Sequence, residues 1–190
     1  MRVIAGEFKG RKLTAPRGIG MRPTADRVKE AIFSMVQPVL EDAVCLDLFA
    51  GSGSLGIEAL SRGAACVHFC DIDPVSIAAL RKNLDTCRID GRRACILAKD
   101  WRTAVTELDK KCNLVFIDAP YEMCEYYSQI LEKLVKHGVL TDEAMIVIER
   151  DAGKGGYTLP AGFGMIREKR YGGTGVDLLF YANTGGGNGR

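Results

Sequence analysis

The clearest pattern in the sequence is an alternation, from about residue 44 onward, of short apolar runs with segments that carry apolar residues at helical spacing. The runs are bounded by Gly, Asp or Pro, as is typical of buried parallel strands. They lie at 44–49, 67–70, 94–97, 114–117 and 144–148. The segments that predict helices lie at 54–62, 74–84, 101–108 and 125–136. This alternation predicts a doubly wound α/β sheet, whose ligands bind beyond the carboxyl ends of the strands.

The two ends of the chain carry different patterns. Residues 2–13 alternate apolar and polar side chains and predict a small basic hairpin, and residues 26–36 predict an amphipathic helix. Near the other end, 165–171 and 176–181 flank a glycine-rich turn. These two runs predict an antiparallel hairpin that closes the sheet.

Composition limits the protein to a few classes. With 190 residues, 47% of them hydrophobic and 26% charged, we expect one globular domain over 1–183. Its first 25 residues form a basic hairpin and arm, and the glycine-rich tail 184–190 is expected to be disordered. The apolar runs are shorter than the roughly 18 residues of a membrane span. The seven cysteines include no C-x-x-C pair. We therefore expect a cytoplasmic, reduced protein without a metal site, monomeric by default.

The positive charge is concentrated at the front of the chain. Residues 1–30 contain eight Lys or Arg against three acids, whereas the remainder contains 18 basic and 21 acidic side chains. Such a front segment suits a phosphate backbone, although a solvated basic arm would have the same composition.

A glycine-rich segment follows the first predicted strand and opens a helix. Gly51, Gly53 and Gly56 have the spacing of a dinucleotide fingerprint, with Asp71 further on at the end of the second strand. Glycines there allow a sharp turn and a close approach of ligand to backbone. A nicotinamide enzyme is therefore one candidate.

Acidic residues at three successive strand ends favour a different cofactor. Asp71, Asp100 and Asp118 would face one crevice, where their mutual repulsion is costly unless they bind something. Asp100 has an alternative role as a helix cap, and for Asp73 before Pro74 capping is preferred. An adenosine with a cationic centre, as in S-adenosylmethionine, would explain the set. Its predicted contacts are Asp71 to the ribose, Asp100 to the adenine amine, Trp101 or Ile72 to the adenine face, and Asp47, Phe49, Gly51 and Gly53 around the amino acid end.

The tetrapeptide Asp118-Ala119-Pro120-Tyr121 closes the fourth predicted strand. A base amine attacks poorly because its lone pair is delocalised into the ring. The Asp118 carboxylate and the Ala119 carbonyl would accept its two N–H groups and aim the lone pair at a methyl sulfonium. Pro120 would hold the loop and Tyr121 would stack on an exposed base. An ordinary strand-to-loop turn has similar residues, so the glycine loop is what makes this prediction specific.

Together these motifs resemble the amino-methyltransferases with a D-P-P-Y tetrapeptide. Within that group the chain is similar to the RsmD family of small-subunit ribosomal RNA guanine-N2 methyltransferases. The similarity rests on motifs near the N-terminus, 1–6 with 10–13 and 22–24 with 26–33, and extends to Tyr171-Gly172. It implies a Rossmann-like class I methyltransferase fold with a mostly parallel seven-stranded sheet. It also implies transfer of one methyl group to a guanine amine of 16S ribosomal RNA in a partly assembled small subunit.

The resemblance has one departure and leaves rivals. Ala119 stands where the family usually has proline; alanine still supplies the carbonyl, with a looser loop. The alternatives are a DNA or RNA adenine amino-methyltransferase, a nicotinamide-dependent oxidoreductase and a non-catalytic RNA-binding module. The side chains expected to contact RNA are Arg2, Lys9, Arg11, Lys12, Arg22 and Arg27.

Overall fold

A computed structural model of the chain describes residues 1–16, 25–120, 126–154 and 156–183. Within these ranges the strands are β1 (Val44–Leu48), β2 (Cys66–Asp71), β3 (Ala94–Ala98), β4 (Cys112–Ile117), β5 (Leu140–Asp151), β6 (Phe163–Tyr171) and β7 (Thr174–Tyr181). The helices are α1 (Asp26–Val36), α2 (Ser54–Ser61), α3 (Pro74–Cys87), α4 (Trp101–Glu107) and α5 (Tyr127–Lys136), and a short 3-10 turn, Gln37–Val39, follows α1.

The strands form one seven-stranded sheet in the order β3-β2-β1-β4-β5-β7-β6. β1 to β5 are parallel, and β7 pairs antiparallel with both β5 and β6. The predicted doubly wound sheet and its C-terminal antiparallel hairpin are therefore confirmed. The change of winding direction falls between β1 and β4, where folds of this kind bind their ligands.

Helices cover both faces of the sheet and divide the core into two clusters. The first cluster joins α1, α2 and α3 to one face through residues such as Ile32, Phe69 and Leu80. The second joins α4 and α5 to the other face through Val105, Ile130 and others. Because both faces are buried, the central strands are apolar on both sides, which is why they appear as continuous apolar runs in the sequence.

Most differences from the predicted elements are at their ends. β5 begins at Leu140 and ends at Asp151, well beyond the predicted 144–148, because its outer residues pair with β4 and β7 across a register shift. α3 continues to Cys87 and ends where Arg88 adopts a left-handed conformation, φ 55°. Tertiary pairing, which the local pattern does not contain, sets these limits.

The predicted N-terminal hairpin is present as a short loop with antiparallel arms: Arg2 and Lys12 form a bridge, and the N–H groups of Val3, Gly10 and Leu13 donate to the carbonyls of Arg11, Val3 and Met1. The loop packs through Val3, Phe8 and Leu13, all buried, into the cluster that contains α1 and α2. The apolar side chains of this hairpin are therefore buried against the helices. The predicted tail 184–190 and Arg22 lie outside the described residues.

Candidate active site at the carboxyl edge of the sheet

Asp47 near the end of β1 is hydrogen-bonded to the segment that follows the glycine loop. Its side chain is 1% exposed, and its Oδ2 atom accepts the Gly56 N–H at 2.9 Å in the first turn of α2. Burial raises the pKa of Asp47 to about 7, against the opposing effect of the Gly56 hydrogen bond. In this structure Asp47 acts on the loop that it holds, and its direct contact with a cofactor stays a prediction.

The loop between β1 and α2 has a tight left-handed path. Phe49, Gly51 and Gly53 have φ values of 63°, 54° and 77°. A Cβ on Gly53 would lie 2.4 Å from Leu80 Cδ1, so this glycine serves close packing of the loop on α3. A Cβ on Gly51 would meet nothing closer than the Phe49 carbonyl oxygen at 4.0 Å. Gly51 is thus the loop glycine with open space beside it, as a ligand cradle requires.

Asp71 ends β2 and is tied to the same loop. Its Oδ2 accepts the Gly51 N–H at 2.7 Å and its Oδ1 accepts the Asp73 N–H at 2.9 Å. A carboxylate has about four lone-pair sites, so Asp71 retains acceptor capacity for hydroxyl groups. Ile72 follows it and is 66% exposed. Asp73 caps α3 through the Val75 and Ser76 N–H groups, as predicted.

Asp100 and Trp101 begin α4 two residues beyond the end of β3. Asp100 caps the helix by accepting the Arg102 N–H at 2.8 Å, the alternative role that the sequence allowed. Trp101 is only 4% exposed, and the Arg102 guanidinium covers its ring at 4.5 Å. Of the two residues predicted to contact the adenine face, Ile72 is the exposed one, and the contact of either with adenine stays a prediction.

The tetrapeptide follows β4 directly beside the glycine loop. The Asp118 N–H reaches the Leu48 carbonyl at 3.5 Å, so the β1–β4 ladder continues to the point where both strands end. Asp118 is half-buried, Ala119 is 2% exposed and Pro120 is exposed. Tyr121 lies outside the described residues, and its predicted stacking role stays a prediction.

Sequence reasoning missed a group of buried polar residues behind the loop. Asn83 in α3 donates to the Ser52 carbonyl at 2.9 Å and also pairs with both backbone groups of Thr14. Glu58 in α2 accepts the Ile4 and Ala5 N–H groups at 2.8 and 3.0 Å. These side chains attach the N-terminal loop to the cofactor-side elements. A polar residue on the inner face of an amphipathic helix was the available signal.

The predicted RNA-contact residues have different surroundings. Lys9, Lys12 and Arg27 are exposed. Arg2 pairs with Asp26 at 3.1 Å, and the Arg11 guanidinium donates to the Thr86 carbonyl at 2.7 Å. The exposed lysines thus carry charge that is not paired with an acid among the described residues.

The six described cysteines are all free thiols, and Cys124 lies outside the described part of the chain. Among the residues that the structure covers, no group of three His, Cys, Asp or Glu side chains is arranged to hold a metal ion. Of the helices described, none has the length and apolar character to cross a bilayer.

The strand order, the glycine loop and the strand-end carboxylates define a Rossmann-like methyltransferase fold. The chain belongs to the RsmD family: the family model described as Conserved hypothetical protein 95 matches residues 1–181.

Named relatives and a solved structure agree with this membership. The chain is 38% identical over 169 residues to ribosomal RNA small subunit methyltransferase D of Escherichia coli strain K12, covering 89% of this chain and 84% of the relative. It is 35% identical over 174 residues to the protein of the same name from Haemophilus influenzae, covering 90% and 89%. The solved structure of yhhF from Escherichia coli, described provisionally as a methyltransferase, superposes with a TM-score of 0.85 at 37% identity, over 96% of this chain and 98% of that one.

Proposed function

We propose that this protein transfers a methyl group from S-adenosylmethionine to the exocyclic N2 amine of a guanine in small-subunit 16S ribosomal RNA. The observation that carries the proposal is the position of Asp118 immediately beside the glycine loop, at the shared carboxyl end of β1 and β4. A cofactor cradle and an amine-binding carboxylate on adjacent strands are what methyl transfer to a base requires. The relatives named for small-subunit ribosomal RNA support the substrate class.

The residues at the crevice fit the cofactor. Asp71 retains acceptor capacity for ribose hydroxyls, Ile72 offers an exposed apolar surface to adenine, and the open side of Gly51 accommodates the amino acid end. Asp100 caps α4 through Oδ1, so its second oxygen, although 3.4 Å from the Arg102 guanidinium, can accept from the adenine amine. When bound, the cofactor supplies an electrophilic methyl group on a sulfonium centre.

The protein's part in the reaction is to make the amine nucleophilic. The Asp118 carboxylate and the Ala119 carbonyl accept the two N–H groups and turn the nitrogen lone pair toward the methyl group. The new N–C bond would form as the S–C bond to the transferred methyl breaks, and the Asp118 carboxylate, already bound to the amine, would accept the proton that the nitrogen then loses. Pro120 restricts the backbone that presents the Ala119 carbonyl, and so partly replaces the rigidity of a second proline.

The RNA would approach over the front of the chain. Lys9, Lys12 and Arg27 present positive charge to phosphates, and Arg2 and Arg11 extend that surface. Arg22 is expected to contribute from the segment outside the described residues. Such contacts orient the RNA without reading its sequence, so the shape of the RNA must select the target. We therefore propose a partly assembled small subunit as the substrate. The protein would act on it in the cytoplasm, as a monomer.

A methyl-transfer assay with labelled cofactor tests the function. The substrates are small subunits from cells that lack this activity, protein-free 16S ribosomal RNA and duplex DNA, followed by nucleoside analysis. We expect N2-methylguanosine at one position of the subunit RNA and no label in DNA. N6-methyladenosine in either nucleic acid would overturn the guanine assignment.

A calorimetric titration separates the enzyme classes. S-adenosylmethionine should bind at one site, and NAD should not compete with it. Binding of NAD in preference to S-adenosylmethionine would favour the oxidoreductase alternative.

A further inference from the structure

The register of the sheet places Glu149 next to Asp118. Ile117 of β4 pairs with Ile148 of β5, so the next residues along the two parallel strands are Asp118 and Glu149. Neighbouring strands lie about 4.8 Å apart, which brings these two positions within reach of one nucleobase edge.

Both carboxylates leave the sheet on the same face. Ile117 and Ile148 pack into the cluster that contains α4 and α5. Side chains alternate along a strand, so Asp118 and Glu149 project toward the opposite face, which carries α1 and α2. The same alternation directs Asp71 there, because its predecessor Cys70 belongs to the α4 and α5 cluster. Glu149 is therefore on the cofactor and acceptor side of the crevice.

The end of β5 that carries Glu149 is held firmly. The Glu149 carbonyl accepts the Tyr127 hydroxyl at 3.1 Å, and Tyr127 is 1% exposed with its ring 5.3 Å from that of Tyr157. Glu149 itself is 6% exposed. A glutamate carboxylate has about four lone-pair sites, so it can accept a substrate donor in addition to a partner within the protein.

We infer that Glu149 selects guanine in the acceptor site by accepting its N1–H while Asp118 accepts from the neighbouring N2 amine. The inference rests on the proposed function above. On the Watson–Crick edge of guanine these donors are adjacent, and enzymes that extrude a base read that edge. Adenine presents an unprotonated N1 beside its amine. Two neighbouring carboxylates match the first pattern and oppose the second, because they have no proton to donate.

A base analogue tests this with the unaltered protein. The target guanine, located by the methyl-transfer assay, is replaced with 2,6-diaminopurine in 16S ribosomal RNA assembled into small subunits. The analogue keeps the C2 amine, has an acceptor at N1 and carries an amine in place of O6, so the Glu149→Gln variant is what assigns the effect to N1. For the wild-type protein, kcat/KM should fall at least about tenfold on the analogue. Equal use of both bases would overturn the role of Glu149.

The variant Glu149→Gln should reverse part of this preference. Its amide can donate to N1 of the analogue, so the rate on guanine falls, the rate on the analogue rises, and the two agree within about threefold. Glu132→Gln, on an exposed position of α5, is the matched control and should keep the wild-type ratio. A purely structural role would lower both rates equally and leave the ratio unchanged, which would also overturn the inference.

The outcomes separate this inference from the proposed function. If the wild-type protein does not methylate guanine in subunits, the proposed function fails. If it methylates guanine but the preference does not depend on N1 or on Glu149, only the inference fails. Should Glu149→Gln not fold, equal use of both bases by the wild-type protein still overturns the inference.

Discussion

Lys29 and Glu58 form a fully buried ion pair, with 3.4 Å between the lysine Nζ and the glutamate Oε2. Lys29 also donates to the Arg2 carbonyl at 2.6 Å and to Ser54 Oγ at 3.2 Å. Burial lowers the pKa of Lys29, and the nearby Glu58 opposes that shift. One charge pair therefore joins the N-terminal loop, α1 and the helix that opens the cofactor cradle.

The two members of this pair should tolerate removal unequally. Glu58 retains Arg62 at 2.8 Å and two backbone donors when Lys29 is replaced, whereas Lys29 loses the acid with which it forms its buried ion pair when Glu58 is replaced. We expect Glu58→Ala to cost about 3–5 kcal/mol and Lys29→Met clearly less. Urea unfolding measures both, with Glu30→Ala, exposed on α1, as control. Equal losses for the two variants would contradict this account.

Asp118 should be required for chemistry and not for cofactor binding. Asp118→Ala removes an acceptor for the base amine, so methyl transfer should fall at least about 10²-fold while the Kd for S-adenosylmethionine stays essentially constant. Single-turnover transfer and calorimetry measure the two effects. Asp109 is exposed and precedes β4, at the edge of the sheet opposite the cofactor site. As a control, Asp109→Ala should change neither the methyl-transfer rate nor the Kd for S-adenosylmethionine. Turnover comparable to wild type would refute the mechanism.

Exposed lysines of the N-terminal loop should control RNA affinity. Lys9→Ala with Lys12→Ala removes two phosphate partners, so the negative slope of log K against log salt should become shallower by about 1.5 to 2. Cofactor affinity should not change. The control is Lys111→Ala with Lys136→Ala, which removes two exposed lysines outside the N-terminal loop. If both double variants weaken RNA binding alike, the loop has no special role.

Substituting Lys9 and Lys12 tests the RNA-binding role of this loop more directly than deleting the loop does. Removing residues 1–13 would take Val3, Phe8 and Leu13 out of the core and leave Glu58 without its backbone donors. Such a loss of stability would obscure any effect on RNA binding.

The titration of Asp47 should appear in the pH dependence of stability. Its folded pKa of about 7 exceeds the unfolded value of about 3.9. At pH values between these two pKa values, Asp47 keeps a proton in the folded state that it releases in the unfolded state. Asp47 therefore makes the free energy of unfolding fall as the pH rises to about 7. Asp47→Asn keeps an acceptor for the Gly56 N–H and removes the titration.

The Tm of Asp47→Asn minus that of wild type should therefore increase from about pH 5 to about pH 8. Subtraction cancels groups common to both proteins, including His68, whose pKa burial lowers. Thermal unfolding at several pH values measures the difference. A constant difference across this range would show that Asp47 does not titrate there.

The sequence predicted what local patterns encode. Apolar periodicity located the strands and helices, and Asp73 before Pro74 identified the α3 cap correctly. Trp101 shows the limit, because an aromatic residue after a capping Asp has the same local pattern whether its ring faces the core or a crevice. Burial is decided by the distant chain that packs around it.

Contacts between residues that are distant in the sequence could not be predicted from it either. Nothing near Glu149 in the sequence distinguishes it from other acids, and only the β4–β5 register places it beside Asp118. Lys29 looked like one more basic residue of the front segment, although its ammonium is buried against Glu58. Such partners are set by tertiary structure, so their sequence separation conceals them.

The contacts of the N-terminal loop also limit when this part of the protein can fold during synthesis. Ile4 and Phe8 bind partners 54 and 53 residues later, and Thr14 and Arg11 bind partners 69 and 75 residues later. Domains fold as their chain emerges from the N-terminus, and distant contacts wait for their partners to be synthesised. The N-terminal loop is therefore fully docked only after α3, which contains its most distant partners cited here, has left the ribosome.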